Sequence, residues 1–272
     1  MTRSQTMAPA DRIAALCVVF KVPTIGVELC RRLTDAGFAD AVPVVGEVFE
    51  MEAHDRHERR VERLHRGSKL PPGKTFDTLD ATKVPKALLA KARELAKGDF
   101  LEDGTNVLLF GLPGRGKSHI ACAIAAALVD RGHAVLFTPA YQLVQVLLAA
   151  KRDLTLPSTL RKLDVFDAIV LDDIGYVQQS VDDAEVLFTL LAERYERRSL
   201  IITSNLVFSE WERIFKNPLS TMAAIDRLVH RSVILEFDGP SIRFEEAERR
   251  RRADTGKASR STTKPTTTQE SP

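Results

Sequence analysis

The chain has 272 residues, enough for one full domain plus a smaller one with a real core. Its 44% hydrophobic and 28% charged residues are ordinary globular values, and 39 Lys and Arg against 37 Asp and Glu leave a net charge of +2, which excludes a uniformly basic nucleic-acid binder. The longest apolar run, residues 120–129, falls well short of the roughly 18 to 20 residues of a membrane span, and residues 14–20 are too weakly apolar for a signal peptide, so a cytoplasmic protein with no membrane partner is expected.

Residues 11–66 show helix-type spacing through Ile13, Leu16, Val19, Phe20, Val27, Leu29, Leu33, Val45, Val48, Phe49 and Met51. Pro23, Gly37 and Pro43 divide this stretch into about three short helices. The last runs into residues 54–66, where five arginines stand against three acids. Gly67, Pro71, Pro72 and Gly73 read as a linker, and residues 86–97 as an amphipathic helix closed by Gly98. Cys17, Cys30 and Cys122 are odd in number and lack CxxC spacing, which supports neither a disulfide framework nor a zinc site and reads as buried reduced thiols.

After Gly104 the pattern becomes α/β. Residues 107–110 form a buried strand that enters a glycine-rich turn and a helix over 117–130, ended by Gly132. Strands follow at 134–137, 168–171 and 200–203, with helices at 141–151 and 184–197 between them. Such alternation predicts a parallel sheet covered by helices on both faces. The expected organisation is an N-terminal helical domain (1–66), a linker and helix (67–98), an α/β domain (99–248) and an Arg-, Ser- and Thr-rich tail (249–272) expected to be disordered.

The strongest motif is Gly111-Leu112-Pro113-Gly114-Arg115-Gly116-Lys117-Ser118, which fits G-x-x-x-x-G-K-[ST] at every fixed position. Glycines let backbone N–H groups turn inward around phosphate oxygens at the positive end of the following helix. This makes residues 111–118 and the adjoining His119 the candidate ATP contacts, with Lys117 for the β- and γ-phosphates and Ser118 for Mg²⁺. A dinucleotide-binding reading is weaker, because the glycines stand as G-x-x-G-x-G and the lysine would have no role. The strand at 168–171 delivers Asp172, a second candidate Mg²⁺ ligand, and then Asp173, a candidate to orient the attacking water. Helix-capping acids at a strand end would look the same. The next strand ends in Asn205, placed to meet the γ-phosphate or the water, or simply to cap a helix. Arg227 and Arg231 stand four apart, on one face if that segment is helical, as a surface salt bridge or as an arginine presented across a subunit boundary.

In order, these motifs resemble a family. The P-loop, residues 170–176, residues 193–205, Phe208-Ser-Glu-Trp-Glu212 and Asp226-Arg-Leu-Val-His-Arg231 are similar to the IstB-like transposition helper ATPases of insertion sequences, AAA+ proteins related to the DnaC helicase loaders. The resemblance spans about residues 21–243. It implies an AAA+ P-loop fold, ATP and Mg²⁺ as cofactors, homo-oligomers on double-stranded DNA, and control of a partner transposase. By match it makes Asp172 the Walker B aspartate, Asn205 the sensor residue and Arg227 an arginine finger acting in trans. The sequence departs from the AAA+ pattern at Asp173, where glutamate is usual, and Arg243 is the remaining candidate for a lid arginine.

Divided by segment, the charge is uneven. Residues 54–97 hold 12 basic and 6 acidic side chains, residues 98–242 hold 14 and 19, and residues 243–272 hold 8 and 5. Basic flanks around an acidic core suit contact with a phosphate backbone, although a salt-bridged helix face would give the same composition over 54–66. His54, His57 and His65 lack neighbouring cysteines and do not make a metal site. The alternatives are a DnaC-like helicase loader acting on single-stranded DNA, and a small-molecule kinase, whose arginine-rich lid is not evident in the core.

Overall fold

The computed structural model describes residues 7–176, 180–215 and 218–237; the tail from residue 249 and Arg243 lie outside the described residues. The chain divides after Arg63 into two compact units.

The first unit is helical: α1 (Pro9–Val19), α2 (Pro23–Asp35) and the greater part of α3 (Ala41–Ser68). Pro9 and Pro23 stand in the first turns of α1 and α2, where a missing N–H has no intrahelical partner to lose. Ile13, Cys17 and Val42 are buried at the centre, with Leu29, Leu33, Val45 and Phe49 packed around them. Phe20 and Phe49 stack at 5.8 Å, and the Arg56 guanidinium lies 4.3 Å above the Phe20 ring. The third helix is far longer than the short helix expected, at 28 residues, and runs on past Gly67. Its charged half is sustained by pairs one turn apart, Arg56 with Glu52 at 2.5 Å and His54 with Glu58 at 3.1 Å. All three cysteines are free thiols, but Cys30 is only half-buried, since it sits at the edge of this small core.

The second unit contains a five-stranded, fully parallel sheet in the order β2-β3-β4-β1-β5. The strands are β1 (Asn106–Gly111), β2 (Val135–Pro139), β3 (Ala168–Asp172), β4 (Ser199–Ser204) and β5 (Ser232–Phe237). The helices are α4 (Lys86–Leu95), α5 (Lys117–Asp130), α6 (Ala140–Arg152), α7 (Leu156–Leu163), α8 (Val181–Arg194), α9 (Glu212–Phe215) and α10 (Pro218–Val229). The inner strands β1, β3 and β4 have apolar centres, because both their faces are buried, and carry their polar residues at the ends. One apolar cluster joins α4 and α5 to residues of the sheet such as Val107, Leu109 and Val170; the proline- and glycine-rich stretch after α3 contributes Leu70, Phe76 and Leu79 to it. A second joins α6, α8, α9 and α10 to Leu108, Ile169 and Ile202, whose side chains alternate with the first set. This is the α/β architecture expected, a parallel sheet between helical layers.

Three elements, α7, α9 and β5, have no counterpart among those expected. β5 is an edge strand with Ile234 and Glu236 exposed and Leu235 and Phe237 buried, an alternation too short to stand out beside a helix. The helix expected over 184–197 begins at Val181, because Ser180 and Asp183 form a capping box: Ser180 Oγ accepts from the Asp183 N–H at 3.1 Å and Asp183 Oδ2 from the Ser180 N–H at 3.0 Å.

At the amino-terminal edge of the sheet, Arg194 of α8 is 2% exposed and donates to the carbonyls of Leu163 (3.0 Å), Phe166 (2.9 Å) and Ser199 (3.2 Å). Burial pushes its pKa down to about 10, which still leaves it protonated at neutral pH. One guanidinium thus joins α7, the turn before β3 and the start of β4. Arg194→Met would strand those carbonyls, and we expect a loss of roughly 2–4 kcal/mol in the unfolding free energy of this unit. Trp211, the only tryptophan and fully buried, reports this in a denaturant titration followed by fluorescence.

Candidate functional site

In a parallel sheet every strand presents its carboxyl end to the same edge, where ligands of open α/β sheets bind. Here β4 lies between β1 and β3, so three adjacent strands deliver the glycine-rich loop, residues 203–205 and the Asp172-Asp173 pair side by side. A cavity of about 290 Å³ opens there. It is lined by residues 113–119, by Asp173 and Asn205, and by Lys74, Thr78, Leu79, Asp80 and Lys83 from the segment preceding α4.

The loop turns at Gly116, whose φ of 89° is left-handed and leads into the first residue of α5. Lys117, 5% exposed, donates from Nζ to the carbonyls of Gly111 at 2.6 Å and Leu112 at 2.9 Å, which holds its ammonium inside the loop. His119 Nε2 is 2.9 Å from the Thr75 carbonyl and 3.3 Å from Thr78 Oγ1. A carbonyl only accepts, so that nitrogen carries the proton and ties α5 to the segment before α4.

Across the cavity, one hydroxyl organises the acidic pair. Thr203 Oγ1 donates to Asp172 Oδ1 at 2.7 Å and accepts from the Asp173 backbone N–H at 2.8 Å. Asp172 is thereby oriented at the end of β3, and Asp173, with φ of 57°, turns into the cavity. Left-handed backbone is several-fold more accessible to Asp than to most residues with a side chain, which suits aspartate where the AAA+ pattern has glutamate.

Asn205 Oδ1 is buried and has no hydrogen-bond partner among the described residues. An amide flip exchanges this oxygen for a nitrogen donor, so the position offers either polarity to a bound group. Such an orphaned atom on a cavity wall fits a polar ligand. Room for it comes from Gly175: a Cβ there would stand 2.2 Å from Asn205 Oδ1 and 3.0 Å from Leu206 Cγ. No cluster of three or more His, Cys, Asp and Glu that could hold a metal occurs among the described residues. The donor set suits a cation held jointly by Ser118, Asp172 and a ligand's phosphates, as Mg²⁺ usually is.

Arg227 of α10 does not line this cavity; its guanidinium lies 4.6 Å from the centre of the Phe188 ring. Arg231 is held by Glu196 at 3.7 Å and by the Asp103 carbonyl at 3.4 Å, as a surface salt bridge would be. Sequence reasoning missed Thr203, Gly175 and the lysines of residues 74–83. Thr203 is visible only through the β3–β4 register, which pairs Leu171 with Ile202 and so brings Asp172 opposite the next residue.

The chain is similar throughout most of its length to known proteins. A family model described as IstB-like ATP binding protein matches residues 30–250. A protein of Sinorhizobium fredii named as an insertion-sequence ATP-binding protein is 44% identical over 225 residues, 82% of this chain and 76% of its own length. One of Pseudomonas aeruginosa, named for the insertion sequence IS21 and ATP binding, is 38% identical over 73% of this chain and 75% of its own length. Among solved structures, AMPPCP-bound DnaA from Aquifex aeolicus superposes with a TM-score of 0.51 at 17% identity, covering 68% of this chain and 57% of that one. DnaI gives 0.51 at 19% identity, covering 63% of this chain and 96% of its own. At such identities the likeness is one of fold, the P-loop AAA+ architecture.

The Gly175–Asn205 contact yields a test. In Gly175→Ala the new methyl must displace Asn205 while the glycine-rich loop keeps its place. We expect affinity for a fluorescent ATP analogue to stay within about threefold, while hydrolysis falls at least about tenfold through misplacement of a site group.

Proposed function

The chain belongs to the IstB-like ATP binding protein family of insertion sequences, and from this premise we propose that it is an ATP-hydrolysing AAA+ regulator that assembles on double-stranded DNA and controls a partner transposase. The observation that carries the proposal is the convergence of Lys117, Ser118, Asp173 and Asn205, from three different strand ends, on one cavity.

The backbone of residues 111–117 cradles the phosphates, and Lys117 places its ammonium against the terminal ones. Ser118 and Asp172 would hold Mg²⁺, with Thr203 fixing the orientation of the aspartate. When bound, that cation offsets negative charge on the β- and γ-phosphates. Asp173, from the other end of the same threonine bridge, accepts a hydrogen bond from the attacking water and orients it for in-line displacement. Asn205 donates to that water or to the γ-phosphate. The reach of Arg227 is toward the nucleotide of a neighbouring subunit; its exclusion from its own cavity supports a role in trans.

Contact with DNA is assigned to the charged half of α3. Over residues 54–66 five arginines stand against three acids, and the surface pair of Arg56 with Glu52 is worth little once a phosphate competes for the same guanidinium. With no aromatic side chain in this stretch, the contact is with the sugar–phosphate backbone rather than by base stacking.

Nucleotide titration and steady-state hydrolysis test the site. Lys117→Ala should abolish ATP binding, and unchanged affinity would refute the phosphate cradle. Asp173→Asn should retain binding while turnover falls about 10²- to 10⁴-fold; sustained hydrolysis would mean that another group activates the water. Replacing Arg59, Arg60 and Arg63 with glutamine should lower the slope of log affinity for duplex DNA against log salt by up to about 3 if all three meet phosphates. An unchanged slope would remove α3 from the DNA interface.

A further inference from the structure

The two arginines that lie one turn apart around the end of α10 are held in different ways. Arg231 is paired with a carboxylate, Glu196. Arg227 is stacked over an aromatic face, with its guanidinium carbon 4.6 Å from the centre of the Phe188 ring, and no carboxylate pairs with it among the described residues. Its Nη1 is buried and has no hydrogen-bond acceptor among the described residues. Phe188 itself is fixed: it is half-buried on α8 and rests against the apolar cluster that includes Leu187, Leu191 and Leu228.

These holds differ in what they leave available. A carboxylate neutralises a guanidinium and must be broken before the arginine can serve an anion. A ring face attracts the cation through its quadrupole and sets the plane of the fork, yet it occupies none of the N–H donors. Nη1 is buried without an acceptor while Arg227 as a whole is half-exposed: no carboxylate neutralises the cation, and a phosphate would meet it from the solvent side. We propose that Phe188 is the positioning residue of the arginine finger, a platform that holds the Arg227 guanidinium with its charge in reserve for the phosphates of a neighbouring subunit's nucleotide. This rests on the reading of Arg227 as a finger acting in trans.

The test uses the full chain on duplex DNA, with ATP affinity, KM, kcat and the Trp211-monitored unfolding midpoint measured for each variant. Phe188→Leu removes the ring face; Phe188→Met does so at nearly conserved volume and serves if the leucine variant does not fold; Phe188→Tyr restores the face. The expected result is a kcat lower by roughly 10- to 100-fold in Leu and Met, with KM and ATP affinity within about twofold, and recovery in Tyr. In an Arg227→Ala background, Phe188→Met should cause no further loss. If Arg227→Ala abolishes turnover but Phe188→Met leaves kcat unchanged, or if the two losses multiply, the platform is refuted while the finger stands. If Arg227→Ala itself turns over normally, the finger reading fails and the platform with it.

Discussion

The site depends on the hydroxyl of Thr203. By donating to Asp172 and accepting from the backbone of Asp173, it joins the ends of two adjacent strands through one oxygen atom. That pairing is possible only because β3 and β4 are neighbours in parallel register, so that both chains reach the same edge with the same residue offset. It has two consequences. The Asp172 carboxylate is restrained at the end of β3, and Asp173 is turned into left-handed backbone at the wall of the cavity. Two adjacent carboxylates left to themselves would repel each other; here one faces the threonine bridge and the other leaves the strand direction altogether.

A similar economy of contact governs three other polar groups. Lys117 is enclosed by carbonyls of its own loop, Asn205 sits against the space that Gly175 leaves, and Arg227 rests on an aromatic ring. Asn205 and Arg227 each keep a buried polar atom without a partner among the described residues. At the opposite edge of the sheet the requirement is reversed. Arg194 donates to three carbonyls and is buried beneath α7 and the start of β4, where its task is cohesion. Two arginines of one unit are thus held in different ways, Arg194 by three carbonyls and Arg227 by a ring face.

The helical unit follows a different logic. Its core is small, built around Ile13, Cys17 and Val42, while Val18, Val19, Val27, Val44, Val48 and Met51 remain exposed. The charged half of α3 carries side-chain pairs one turn apart, Arg56 with Glu52 and His54 with Glu58. The arginines of that half are exposed, in contrast with the buried Arg194 of the other unit. The near-neutral total charge is an average over an acidic core at residues 98–242 and basic flanks.

Much of this was legible in the sequence, for physical reasons that are local. Buried parallel strands must be apolar runs, a phosphate cradle needs glycines at fixed spacing before a lysine and a hydroxyl, and a strand that carries acids at its end declares the edge on which it will be used. Hence the sheet, the loop at 111–118, Asp172, Asp173 and Asn205 follow from the order of residues. The edge strand β5, the short helices α7 and α9 and the unbroken length of α3 did not, because their patterns are brief or depend on pairs that periodicity does not register. Still less visible were Thr203, Gly175 and Phe188. Each matters only through a residue 30 or so positions away or on another element: Thr203 through Asp172, Gly175 through Asn205, Phe188 through Arg227. The sequence by itself determined which chemical groups this protein carries and which edge of its sheet presents them. The tertiary structure alone decided how those groups are held, because strand register and side-chain packing bring together residues that no local pattern relates.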